Sequence, residues 1–127
     1  MTIWHGEKGK KFTGGKINLM RKKRKYELGN MPTFTKTGKQ IVRKIMTKGG
    51  GEKLRAFSVE FVNVIDPASQ SAKRVKILDV IENSANSNFS RRKVITRGAI
   101  VQTELGKARI ISRPGQHGVA NAILLAK

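Results

Sequence analysis

"KQIVRKIMTKGGGEKLRAFSVEF", residues 39 to 61, is where the chain first takes on a strand pattern. Two runs rich in aliphatic and β-branched residues, "KQIVRKIMT" and "KLRAFSVEF", flank the stretch Lys48-Gly49-Gly50-Gly51-Glu52. Glycine reaches positive φ without steric cost, so the centre reads as a hairpin loop joining two strands. In the second run Phe57, Val59 and Phe61 recur with period two, which places all three on one face.

The same grammar continues downstream. After the Asp66-Pro67 turn, "KRVKILDVIE" carries aliphatic residues on both faces, the pattern of a central strand. Gly98 interrupts "VITRGAIVQTEL" where a bulge or sharp bend is expected, Gly106 turns the chain into "KARIIS", and "HGVANAILLA" follows Pro114-Gly115. At least six short strands with tight connections, and no long helix, predict an all-β fold: a small closed barrel or sandwich spanning residues 39–127.

Upstream the pattern dissolves. Between residues 1 and 38 the apolar positions Ile3, Trp4, Phe12, Ile17, Leu19, Met20, Tyr26, Leu28, Met31 and Phe34 keep neither a helical nor a strand period. Glycines and Pro32 interrupt them. Such a stretch can hardly bury enough surface to offset its ordering entropy, so residues 1–38 are expected to form a basic, largely irregular N-terminal arm.

Composition narrows the function. A chain of 127 residues accommodates one domain and an arm. With 27 Lys and Arg against 8 Asp and Glu, the net charge is +19, and sixteen of the cations lie at or before Arg55. Copies of such a molecule repel one another, which argues against a stand-alone homo-oligomer and for a polyanionic partner. An anionic membrane is a poor match, because the longest apolar run, Ala122 to Ala126, is only strand-sized. "MTIWHGEKGK" at the N-terminus has neither an apolar core nor a small-residue cleavage site, so a cytoplasmic location is expected. Nucleic acid remains.

Catalytic equipment is sparse. The two histidines, His5 and His117, lack the paired spacing of a zinc site, cysteine is absent, there is no Gly-x-Ser-x-Gly elbow, and the acids are scattered. No enzyme activity, metal or cofactor is expected. Thr13-Gly14-Gly15-Lys16 lacks the flanking residues of a nucleotide-hydrolysing loop; it reads either as a backbone nest for an RNA phosphate or as a simple Gly-Gly joint.

The binding candidates are mostly cations. Arg21, Lys22, Lys23, Arg24 and Lys25 run consecutively in "MRKKRKYELG", and Lys8, Lys10, Lys11, Lys16, Lys36 and Lys39 extend the series in a spread suited to following a phosphate backbone. Charge runs of this kind also occur as solvated tails or localisation signals. Tyr26 either stacks on a base or docks Leu28 onto the β-body. Arg91, Arg92 and Lys93, with Arg97, form a second cluster where a loop enters a strand. Arg113, Gln116 and His117 in "RPGQHG" are suited to phosphate, a base edge or a 2′-hydroxyl, or else belong to an ordinary exposed turn. With one Trp, one Tyr and five Phe, rows of stacking platforms are not expected, and backbone and shape recognition should dominate.

Several of these stretches carry a resemblance. "TGGK", "RKKRKYELGNMPTFTKTG", the glycine-rich loop before "KLRAF", "NVIDPAS", "VIENSANSNFSRRKVITRGAIVQTELGKARIISRPGQHG" and "VANAILL" together resemble the small-subunit ribosomal protein S8e family in its short, archaeal form. The long insertion of eukaryotic members is absent between Ala56 and Val75. The resemblance implies a structural, non-enzymatic constituent of the small ribosomal subunit. Its partners would be small-subunit rRNA and neighbouring ribosomal proteins, and rRNA phosphates would neutralise the five consecutive cations. The alternative from composition alone is a basic chromatin-type DNA-binding protein.

Overall fold

The computed structural model describes residues 2–6 and 9–125. Lys8 and the Ala126 end of the last apolar run lie outside them. The chain divides into two compact units, Met1–Pro32 and Thr33–Lys127.

The first unit is built on a two-stranded antiparallel sheet of β1 (Thr2–Trp4) and β2 (Leu28–Asn30), with Trp4 opposite Leu28. A 3-10 turn at Lys25–Glu27 leads into β2. Between the two strands, Lys10 and Lys16 pair across a tight turn in which the Lys11 N–H donates to the Gly15 carbonyl and the Gly14 N–H to the Lys11 carbonyl. Gly14 takes the left-handed conformation there, at φ 84. One of the amides that a phosphate nest at residues 13–16 would offer, that of Gly14, is therefore engaged within the turn.

The second unit begins with β3 (Lys36–Thr37), which pairs in parallel with β5 (Glu52–Val59); β4 (Ile41–Met46) pairs antiparallel on the other side of β5. The expected glycine loop joins β4 to β5, closed by the Thr47 N–H to the Gly51 carbonyl, with Gly49 and Gly50 at φ 96 and 83. Thr33 to Gly38 run with this unit: the buried Thr35 hydroxyl donates to the Ala56 carbonyl, and the Gly38 N–H donates to the Val59 carbonyl.

After a bend at Glu60 the chain enters the barrel. β6 (Phe61–Asp66), β7 (Ser71–Glu82), β8 (Ile100–Thr103), β9 (Gly106–Ile110) and β10 (Asn121–Leu124) close in the order β10-β6-β7-β8-β9, with β10 parallel to β6 and every other pair antiparallel. The expected all-β closed barrel is present, with five strands. The central-strand reading of "KRVKILDVIE" also holds, since β7 pairs with β6 through its first half and with β8 through its second.

Inward positions follow the period-two pattern and are small. Val62 and Val64 of β6, Val75, Ile77 and Val80 of β7, Val101 of β8, Ala108 and Ile110 of β9 and Ala122 of β10 are all buried. A five-stranded barrel is too narrow for large side chains from every strand, so Val and Ala fill it. The register stacks them across strands: Val64, Ala122 and Ile110 in one row, Val80, Val101 and Ala108 in another.

The strict alternation expected for Phe57, Val59 and Phe61 fails. Register shifts between Ile41 and Val42, whose partners on β5 are Ser58 and Ala56, so Phe57 is the extra residue of a β-bulge. A bulge moves the strand by one residue and reverses which side faces inward. Ala56 and Val59 are therefore buried and Phe57 is exposed, while the bend at Glu60 reverses the phase again and leaves Phe61, the first residue of β6, exposed. Leu78 and Ile81 of β7 are skipped in the same way and also point outward.

Two one-turn helices complete the unit, α1 (Ser87–Arg91) and α2 (Pro114–His117). Proline opens α2 and Gly118 closes it at φ 78, where a Cβ would stand 2.9 Å from the Leu54 Cβ. At Gly98, φ 87 and a hydrogen bond from the Ala99 N–H to the Thr96 carbonyl make the expected bend a turn just before β8.

A candidate nucleic-acid interface

Within the first unit, the cationic run is organised by an acid. The Glu27 carboxylate accepts from the Arg21 guanidinium at 2.6 Å, from the Arg24 backbone N–H at 3.0 Å and from the Trp4 indole N–H at 3.1 Å. The Arg21 bond above all, then the Arg24 amide and the Trp4 indole, pull the Glu27 carboxyl down to about 2. The same Arg21 also donates to the Tyr26 hydroxyl, and the Lys23 ammonium lies 5.5 Å from the Trp4 ring centroid. A Cβ at Gly29 would meet the His5 ring, so a larger residue there would require that exposed side chain to move. Arg21 is thus an internal anchor that folds the run back onto Glu27. The side chains of Lys22, Lys23, Arg24, Lys25 and Tyr26 are exposed, as are Lys10, Lys11 and Lys16.

In the second unit, the loop after β7 assembles the next cluster. Asn83, buried, donates to the Val94 carbonyl and accepts from the Ala85 N–H and the Thr96 hydroxyl, so one side chain ties together both ends of the segment that carries α1. Asn86 caps α1 through the Asn88 N–H. Lys93 follows the helix in the left-handed conformation, at φ 52. Lys36 bridges to Val94, which brings the start of β3 beside Arg91, Arg92 and Lys93. The Arg92 guanidinium lies 5.5 Å from the Phe34 ring, which itself packs against Phe89 at 5.6 Å. Lys93 pairs with Asp79 at 3.0 Å, and this ion pair, with the Val80 N–H, lowers the Asp79 carboxyl.

The other expected residues lie apart from that cluster in sequence and element. Arg97 occupies the turn before β8 and lines a groove with Arg109, Ile111, Ile123 and Leu125. Arg113, Gln116 and His117 belong to α2 and its N-cap. Lys39 precedes β4, and its carbonyl accepts from the Ser58 hydroxyl. Every candidate of this unit is exposed: Lys36, Lys39, Arg91, Arg92, Lys93, Arg97, Arg113, Gln116 and His117 all reach solvent.

Sequence reasoning missed three features. Asn83 is one; an Asn opening a loop rich in Ser and Asn is the signal that could have found it. The cations of β4 and β5 are another: Arg43, Lys44 and Lys53 are exposed, with Lys44 paired to Glu52 at 2.6 Å. The third is the pairing of guanidinium groups with exposed rings, Arg43 over Phe57 at 5.0 Å and Arg74 over Phe61 at 4.7 Å. Among the described residues there is no group of His, Cys, Asp and Glu able to hold a metal, and no helix long and apolar enough to cross a membrane.

Comparison with known proteins places this surface in context. Residues 4–125 match the model of the family described as ribosomal protein S8e. Three proteins called small ribosomal subunit protein eS8 are similar along nearly their whole length. That of Sulfolobus acidocaldarius is 48% identical over 126 residues, 98% of this chain and 98% of the relative. That of Methanocorpusculum labreanum is 46% identical, covering 97% and 98%, and that of Methanoregula boonei 45% identical, covering 98% and 99%. The barrel, the loop bearing α1 and the basic first unit from Trp4 onward fall within the matched span, and the chain belongs to the ribosomal protein S8e family.

Proposed function

We propose that the protein is a structural constituent of the small ribosomal subunit, working in the cytoplasm without catalysis and binding small-subunit rRNA through Lys and Arg contacts to phosphate. The observation that carries this reading is the family match over residues 4–125. The net charge of +19 and the exposure of the candidate cations support its mechanism. Lys10, Lys11, Lys16 and the run from Lys22 to Lys25 release condensed counterions from the RNA. The barrel supplies a rigid body, and Lys36 with Arg91 and Arg92 holds it to the backbone of a second stretch. Residues 1–32, rather than the whole of 1–38, act as an extension that becomes fixed on RNA. No described residue before Thr33 is buried, so this part has little apolar surface of its own to hold it.

Sedimentation of cell extracts on sucrose gradients tests the assignment: the protein should run in one-to-one ratio with the small subunit. Its absence from that peak would overturn the reading. Trypsin tests the extension. Free protein should be trimmed to a resistant fragment beginning at Tyr26, since the next trypsin site, Lys36, is held in β3, and rRNA-bound protein should stay whole. Affinity for duplex DNA equal to that for rRNA at moderate salt would favour a chromatin-type role instead.

A further inference from the structure

Three of the four phenylalanines of the second unit, Phe34, Phe57 and Phe61, are exposed, and each carries a guanidinium over its ring. At Phe61 the arrangement is more than a covered apolar patch. Arg74 lies 4.7 Å from the ring centroid and is held from the side by the Gln40 Oε1 at 3.4 Å. Directly across the strands from Arg74 is Asn63, and across from Asn63 is Asn121. Their amides are joined, Asn63 Nδ2 donating to Asn121 Oδ1 at 3.0 Å. Gln40, Phe61, Asn63 and Arg74 border an open groove of about 210 Å³ whose remaining wall is Val59 and the chain at Gly118, Val119 and Ala120, and Asn121 stands next to it through its bond to Asn63.

We propose that this groove takes a single unpaired nucleobase of the rRNA, stacked on the Arg74 guanidinium with Phe61 behind it and read at its edge by Asn63 and Asn121. This rests on the rRNA-binding reading above and adds to it a contact to a base at residues outside the phosphate-binding cations. A guanidinium is planar and weakly hydrated, so its outer face stacks on a base once its inner face is supported by a ring. Gln40 fixes the group laterally, which lowers the entropy lost when a base lands on it. After their mutual bond, Asn63 keeps its carbonyl oxygen and Asn121 its amide N–H, an acceptor and a donor side by side on an exposed strand surface. Paired bases cannot enter, because both their faces are already stacked and their edges are engaged; the occupant is a splayed base from a loop, bulge or junction. Arg74 also brings positive charge toward the attached phosphate.

Charge and stacking separate cleanly under salt. Arg74→Lys keeps the cation and removes the planar face, while Phe61→Leu keeps apolar cover and removes the ring. Each variant, checked for an unchanged melting temperature, is titrated with a transcript of small-subunit rRNA across a range of salt. The affinity of both should fall about five- to tenfold at every salt concentration, with the slope of log affinity against log salt unchanged. Fluorescence of a single-stranded RNA carrying one 2-aminopurine should be quenched by the wild type and much less by either variant. Wild-type affinity in both variants, or a loss seen only as a shallower slope, overturns the proposal. Normal rRNA affinity with poor incorporation into subunits also overturns it, and points to a protein partner at this groove. If the wild type itself shows no salt-dependent rRNA binding, the reading beneath the proposal has failed instead.

Discussion

The two units hold themselves together by opposite means. Thr33–Lys127 encloses a hydrophobic core built of Val, Ile and Ala, and the buried Thr35, Asn83 and Thr103 each have a hydrogen-bond partner, although the Arg55 Nε is buried without one. Met1–Pro32 has no buried residue among those described, and its arrangement depends on strand pairing and on one carboxylate with three donors. Hydrophobic burial changes little with moderate salt or with pH, whereas a charge-centred arrangement responds strongly to both. The difference suits the parts to their work. Under the proposed function, a barrel that keeps its register is served by a dry core, and an extension that would fit itself to RNA by having few internal bonds to give up.

The comparison can be broken most forcefully from the barrel side. Ile110→Ala removes one of the largest fully buried side chains, in the row with Val64 and Ala122, and should destabilise the barrel by about 2–5 kcal/mol. Chemical denaturation followed by far-ultraviolet circular dichroism measures it. A loss well under about 1 kcal/mol would show that the barrel does not depend on tight packing.

Asn83→Ala attacks a buried polar knot in that unit. It leaves the Val94 carbonyl, the Ala85 N–H and the Thr96 hydroxyl without their partner, at a cost of about 1–3 kcal/mol. Hydrogen exchange should quicken around α1 before it does in the barrel strands. Affinity for rRNA should fall too, because Arg91 and Arg92 are then less well positioned.

On the charged side, replacing Lys22, Lys23, Arg24 and Lys25 with Ala should weaken rRNA binding by about tenfold or more at low salt and reduce the salt slope by roughly 0.7–0.9 for each phosphate no longer neutralised. The melting temperature should not change, since all four side chains are exposed. Arg21 behaves differently. Arg21→Ala removes the bond that does most to hold Glu27 ionised, so it should disturb the Trp4 environment as well as binding.

The smallest effect is a titration. Because the folded carboxyl of Glu27 lies at about 2 against an ordinary 4.5, its contribution to the first unit is complete above 4.5 and is lost as pH falls through about 2. Trp4 is the sole tryptophan and donates to that carboxylate, so its emission should shift over this acid range. Glu27→Gln should show the shifted emission already at neutral pH and no acid transition. An unchanged spectrum in that variant would mean that the Trp4 bond does not organise the unit.

Much of this molecule was determined by local sequence alone. The period-two runs from "KQIVRKIMT" onward, the glycine loop at 48–52 and the turns at Gly98 and Gly106 specify strands and reversals through backbone sterics, which need no partner. Net charge likewise requires no fold to point toward a polyanion, and the quoted stretches carried the family. The tertiary structure decided what depends on pairing. The register between β4 and β5 places a bulge at Phe57, and a bend at Glu60 separates Phe61 from Val59, so both phenylalanines point outward although simple alternation puts them on the face of buried Val59. Closure selects only five strands for the barrel and leaves β3, β4 and β5 as a sheet of their own. Inside the run of five cations, it is the fold of the first unit that turns Arg21 inward to Glu27, a distinction five neighbouring like charges do not reveal. A side chain's type and spacing fix its local conformation, whereas its neighbours across strands depend on long-range register, which one residue of slippage reverses.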